Sequence, residues 1–277
     1  MSIHPDAVER TVVLDDAEVV FYDTCSAKTP LVLLHGTGGS VRSHFGRLFA
    51  MLAPRYRVIA LEFAPAPAGE ALSLDWLVRQ VNAVLGEATD EPVVLVGYSL
   101  GAVVAAAMAA AHPARVKDLV LVAGWMKSDS QQRLRNAVWQ RLRQANSPAL
   151  REFMLYTSYG APFLAARTEP EIEDMLARVS VDGRDEQMEL NRDVDLSSIL
   201  DKIRARTLVI GCTYDQMVPL HHSHSLLGAI ADARLATIDS GHAVIIERPA
   251  ELFHLIDAFA ARRIDAPAGC RLATPTI

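Results

Sequence analysis

The sequence predicts an open α/β sheet of eight strands, mostly parallel, with helices on both faces and a helical insertion. Three observations carry this. Short β-rich runs alternate with longer helical stretches. Several runs are apolar at every position, as strands covered on both faces are. The alternation halts between Trp125 and Leu200 and resumes at Thr207.

Each element has its own signal. Thr11 to Leu14 and Glu18 to Tyr22 flank Asp15-Asp16 and read as an antiparallel hairpin. Further strands are expected at Leu31 to Leu34, Tyr56 to Leu61, Val93 to Val96, Leu119 to Ala123, Leu208 to Ile210 and Arg234 to Ile238. Helices are expected at Ser43 to Leu52, Leu72 to Leu85, Leu100 to Ala111, Ser223 to Ile230 and Glu251 to Ala260. The insertion reads as helices at Ser130 to Gln144, Ala149 to Tyr156 and Glu169 to Val179. Leu134, Val138 and Leu142 sit four apart, an apolar stripe expected to face inward. The insertion begins after one strand end and stops before the next, so it is expected to cap the sheet without a core of its own. The divisions are a first core part at 1–125, a helical cap at 126–200, a second core part at 201–265 and a loose tail at 266–277.

Composition bounds the partners. The chain has 277 residues, 51% of them apolar, and a formal net charge of -6. That length allows one large domain or two small ones. The acidic balance supplies no basic face for nucleic acid. Cys25, Cys212 and Cys270 are scattered, which is neither a disulfide framework nor a zinc cluster. The first ten residues have no apolar core and the most apolar helix is too short to span a bilayer. A cytoplasmic protein acting on a small molecule is expected, with no cofactor, no metal and no membrane partner. Its oligomeric state is left open.

The strongest chemical signal is Gly97-Tyr98-Ser99-Leu100-Gly101. It follows an apolar strand run and opens an alanine-rich helix, the context a nucleophilic serine needs. A hydroxyl must project from a sharp, strained turn. Gly97 and Gly101 leave room for it. The helix behind Ser99 aims its first N–H groups at developing negative charge.

With this motif and the order of elements, the chain resembles the capped, single-domain α/β-hydrolase fold family of the serine hydrolase type, over Val12 to Ala261. The resemblance implies a sheet of that family's kind and a triad in the order serine, acid, histidine. The acid falls on Asp215, within Asp215-Gln216-Met217-Val218-Pro219, and the base on His242, within Ser240-Gly241-His242-Ala243. Asp129 is the main rival acid, because some relatives move the acid to that strand end. Asp239 lies too close to His242, and Asp118 starts its strand at the far end. The resemblance also makes His35-Gly36-Thr37-Gly38-Gly39 the oxyanion loop, with Leu100 giving one N–H and Thr37, or else Gly38, the other. His35 is expected to hold that loop. His221, His222 and His224 read as a surface or cap-facing cluster, and His4, His44 and His254 belong to no constellation.

Tyr98, Trp125, Met126, Phe153 and Tyr156 are expected to line an apolar pocket, with Leu100, Tyr159 and Phe163 nearby. One departure stands out: Glu62 to Gly69 alternates Ala64, Pro65, Ala66, Pro67 and Ala68 where relatives carry an aspartate and a glycine-rich turn. The change suggests an unusual substrate. The expected activity is hydrolysis of a small, largely apolar ester, thioester or lactone through an acyl-enzyme on Ser99. Carbon–carbon bond hydrolysis, cofactor-free perhydrolysis, and a biosynthetic lyase or cyclase using the triad as an acid–base set are the alternatives. A non-catalytic receptor would be expected to show a degraded triad, and this sequence does not. A serine at the elbow argues against haloalkane or epoxide hydrolysis.

Overall fold

A computed structural model describes residues 3–183 and 185–272. Eight strands form one sheet: β1 (Val8–Leu14), β2 (Ala17–Asp23), β3 (Pro30–Leu34), β4 (Arg57–Leu61), β5 (Val93–Tyr98), β6 (Val116–Val122), β7 (Arg206–Cys212) and β8 (Ala233–Ile238). Their spatial order is β1-β2-β4-β3-β5-β6-β7-β8. The β1/β2 and β2/β4 pairs are antiparallel and every other pair is parallel.

The pleat divides the apolar strands between two cores. Val32, Leu34, Val93 and Leu95 face one layer, while Leu31, Leu33, Val94 and Val96 face the other. The first layer holds α2 (Leu74–Ala88), α3 (Leu100–Ala111) and α9 (Leu220–Ala229). The second holds α1 (Val41–Leu52), the short α10 (Val244–Glu247) and α11 (Pro249–Ala260). Helix α3 is buried from Leu100 to Ala110. Its alanines let it lie close against the sheet.

The insertion forms a cap of five helices: α4 (Ser130–Gln144), α5 (Ala149–Ser158), α6 (Ala161–Ala165), α7 (Glu169–Ala177) and α8 (Asp185–Arg192). Helix α6 is too short to announce itself, and α8 carries too few apolar residues. The cap has a small core after all, formed by Trp139, Leu150, Met154 and Met188. The expected stripe on α4 holds only at Leu142, which packs against that core. Leu134 and Val138 are 69% and 40% exposed, whereas Gln132, Asn136 and Trp139 face inward.

The tail is fastened where a loose segment was expected. Leu235 N–H donates to Cys270 O at 3.0 Å and Leu272 N–H to Leu235 O at 2.7 Å, extending the β8 edge. Residues 273–277 of that tail lie outside the described residues. No helix among the described residues is long and apolar enough to cross a membrane.

Candidate active site

Five parallel strands end on one side of the sheet, and each delivers one part of the site. This is where open α/β sheets place their ligands. The glycine loop follows β3, Ser99 follows β5, Trp125 follows β6, Asp215 follows β7 and His242 follows β8.

Ser99 has φ 56° and ψ −121°, a strained conformation for a residue with a side chain. Its side chain makes no capping bond to α3, so helix capping does not account for the serine. Ser99 N–H donates to Val122 O at 2.9 Å and locks the turn to β6. The glycines are obligatory by contact. A Cβ at Gly97 would lie 2.2 Å from Gly101 O, and one at Gly101 would lie 2.0 Å from Leu34 O.

Three side chains form one buried chain of hydrogen bonds. Ser99 Oγ donates to His242 Nε2 at 2.9 Å. His242 Nδ1–H donates to Asp215 Oδ2 at 2.7 Å. The other carboxylate oxygen accepts the N–H groups of Met217 and Val218, each at 2.8 Å. The carboxylate needs a donor, so the histidine proton sits on Nδ1 and leaves Nε2 free to accept. Tyr98 holds the histidine from below, its hydroxyl donating to His242 O at 2.9 Å. Burial pushes that hydroxyl well above its ordinary pKa.

Asp129 does not reach this chain. It caps α4, accepting Gln132 N–H at 2.9 Å, and meets His221 Nε2 at 2.8 Å. His222 Nε2 lies 3.3 Å from the same carboxylate. His222 is buried and faces the cap, the second of the two positions expected of its cluster. Asp239 accepts from Thr213 Oγ1 at 2.9 Å. Asp118 is bound by Arg206 and Arg262 at the far end of the sheet.

The glycine loop is held from both sides. His35 Nδ1–H donates to Gly36 O at 2.9 Å, and its Nε2 accepts Phe63 N–H at 3.2 Å. Burial pulls its pKa from 6.5 down to about 4, so the ring is neutral. His44, which has no sequence motif, accepts Gly36 N–H on Nδ1 at 3.1 Å and lines the site. Gly38 N–H is taken by Gln187 Oε1 of the cap at 2.7 Å. The N–H groups of Thr37 and Leu100 have no acceptor among the described residues.

Under the cap lies a cavity of about 140 Å³ that holds Ser99, His242, Tyr98 and Trp125. Its cap wall is polar, with Gln132, Arg135, Asn136 and Asn191 beside Trp139, Met154 and Met188. The lining as a whole mixes apolar and polar groups, with more polar ones than the few points in an apolar pocket expected from sequence. Met126 instead packs on the main core and Phe153 on the cap core. Tyr156 is 60% exposed on the outside. The Leu100 side chain is buried in the main core. Tyr159 and Phe163 stack in a wider outer groove that shares His44, Tyr98, Met154 and Ser158 with the cavity. The proline loop after β4 does not line the cavity. Its Ala64 is pinned by the buried Gln80 in both directions, at 2.8 and 3.1 Å, and its Pro65 O accepts Trp76 Nε1 at 2.9 Å.

Residues 31–255 match the model of the Alpha/beta hydrolase family. The chain belongs to that family. This alpha/beta hydrolase is 30% identical to the pyrrolizixenacetamide deacetylase of Xenorhabdus hominickii, over 90% of this chain and 96% of that protein. Among solved structures, it resembles the alpha/beta hydrolase enzyme MGS-M2 from a Medee basin deep-sea metagenome library. The TM-score is 0.82 at 18% identity, covering 91% of this chain and 97% of that one. The enol-lactonase of Burkholderia xenovorans LB400 overlays with a TM-score of 0.78 at 21% identity, covering 91% and 100%. At those identities the likeness is one of fold.

Proposed function

We propose that this alpha/beta hydrolase transfers the acyl group of a small ester, thioester, lactone or amide to water through an acyl-enzyme on Ser99. The observation that carries the reading is the buried Ser99–His242–Asp215 chain, with bonds of 2.9 and 2.7 Å. Ser99 Oγ attacks the carbonyl carbon as His242 Nε2 takes its proton. The oxygen that becomes negative is held by the N–H groups of Thr37 and Leu100, since Gly38 N–H is already used. The tetrahedral intermediate collapses, and His242 gives its proton to the leaving oxygen, sulfur or nitrogen. Water then repeats the cycle against the acyl-enzyme and releases the acid. Asp215 fixes the tautomer throughout and offsets the imidazolium charge. The amide is added to the substrate range because a relative of 30% identity is named as a deacetylase of an acetamide.

The test is an intact-mass spectrum after treatment with a small fluorophosphonate, wild type beside Ser99→Ala. One covalent adduct on wild type and none on the variant is expected. A folded wild-type protein that takes up no adduct would overturn the acyl-enzyme reading.

A further inference from the structure

Helix α4 is turned against its own hydrophobic pattern. Leu134 and Val138 face solvent. Gln132, Arg135, Asn136 and Trp139 stand at i, i+3, i+4 and i+7, on one helical face. All four line the cavity that holds Ser99 and His242.

That wall contains polar atoms shut off from solvent that have no hydrogen-bond partner among the described residues. They are Arg135 Nε, Trp139 Nε1, Asn136 Oδ1 and, from α8, Asn191 Oδ1. Polar atoms left unpaired in such a place destabilise the fold. Gathered in one cavity, they offer two donors and two acceptors to a missing group. The asparagines are already anchored through nitrogen. Asn136 Nδ2 donates to Met188 O at 2.6 Å and Asn191 Nδ2 to Thr37 Oγ1 at 2.8 Å. Their carbonyl oxygens are the parts left over.

Arg135 is the decisive member. The carboxylate that acts on it is Asp215, and only at a distance. Asp215 is itself committed to His242, Met217 and Val218. Burial draws the guanidinium down from 12.5 to about 10, which still leaves it charged at neutral pH. A partly buried cation with no ion pair among the described residues lines the same cavity as Ser99.

We propose that the α4 wall is a subsite for a carboxylate carried by the substrate. Arg135 and the Trp139 indole N–H donate to its oxygens, and the carbonyls of Asn136 and Asn191 accept an N–H or O–H next to it. The proposal rests on the serine hydrolase reading for the reaction but not for the binding. The cavity of about 140 Å³ has room for roughly ten water-sized groups. That suits a short acyl compound such as a dicarboxylic half-ester.

Monomethyl succinate and methyl levulinate make a matched pair, because the second replaces the carboxylate by an uncharged acetyl group. We expect wild type to prefer monomethyl succinate by at least about tenfold in kcat/KM, each rate corrected for reaction with hydroxide. In Arg135→Gln this preference falls by about 100-fold, and Arg135→Lys keeps part of it. A wild-type preference at or below one, or the same preference in Arg135→Gln, would overturn the subsite. Calorimetry of monomethyl succinate with the Ser99→Ala protein reads binding without chemistry. Binding there, lost when Arg135→Gln is added, supports the subsite even if wild type takes up no fluorophosphonate. A phosphonate adduct without any such binding sinks the subsite and leaves the hydrolase reading standing.

Discussion

Acidification from about pH 7 to about pH 4 should weaken the fold through one histidine in particular. Both nitrogens of His35 are committed in the neutral form, to Gly36 O and to Phe63 N–H. A second ring proton would point at the Phe63 N–H. Burial therefore pulls the pKa from 6.5 to about 4. The unfolded chain takes up its proton near 6.5, and the folded chain waits until about 4. The folded value is the lower one, so the stabilisation is complete above pH 6.5. It shrinks as pH falls through that window and is gone below about 4. At about 1.4 kcal/mol per pH unit, the full loss is about 3 kcal/mol. Glu62 lies 3.6 Å from Nε2, but burial raises its own pKa, so it is a weakening counter-charge over the same range. Urea unfolding across that window, wild type beside His35→Gln, isolates the effect because the other titrating groups are common to both. Wild type should lose about 3 kcal/mol more than the variant. Parallel stability profiles would refute the argument that His35 is held neutral by the fold.

Two further outcomes follow from the site geometry. Asp215→Asn places an amide against His242 Nδ1 and favours the wrong tautomer, so kcat for ester hydrolysis should fall on the order of 10⁴-fold with the near-UV spectrum unchanged. A fall of less than about tenfold would remove Asp215 from that role. Gly101→Ala puts a methyl 2.0 Å from Leu34 O and 2.7 Å from His35 O, and should cost at least about 1–3 kcal/mol in urea unfolding. A variant as stable as wild type would show that the elbow and the glycine loop are less tightly apposed than their contacts indicate.

Much of the fold was legible because burial on both faces leaves a plain mark. The runs at Leu31 to Leu34 and Val93 to Val96 are strands with no exposed residue. The Ser99 motif was legible because its glycines are required by contacts with Gly101 O and Leu34 O. Helix α4 ends where the sequence places it, at Ser130 and Gln144, since Asp129 caps it with Gln132. Its orientation was not legible. Periodicity predicts that Leu134 and Val138 face inward, and the functional wall reverses that. His44 gave no signal because its role arises where α1 meets the glycine loop, a contact no local pattern records. Helix α8 holds only Met188 as a buried residue, too little for an apolar period to show.

The cap also decides which N–H donors the glycine loop has left. Gln187 and Asn191 lie four apart on α8 and meet successive loop residues, taking Gly38 N–H and donating to Thr37 Oγ1. On the other flank, Glu247 accepts the N–H groups of Gly160 in the cap and Gly241 in the histidine loop, at 3.0 and 3.1 Å. Ala243 N–H donates to Ser158 O at 2.8 Å. Helices α4, α5 and α8 share the core of Trp139, Leu150, Met154 and Met188, so a force on one is felt by the others. Trp139 belongs both to that core and to the polar wall. A group bound on the wall would therefore press on the same packed body that grips the glycine loop. Under the proposed function and subsite, selection of substrate and assembly of the donors for the negative oxygen are mechanically one problem. A cap that merely covered the sheet would need neither Gln187 against Gly38 nor Asn191 against Thr37.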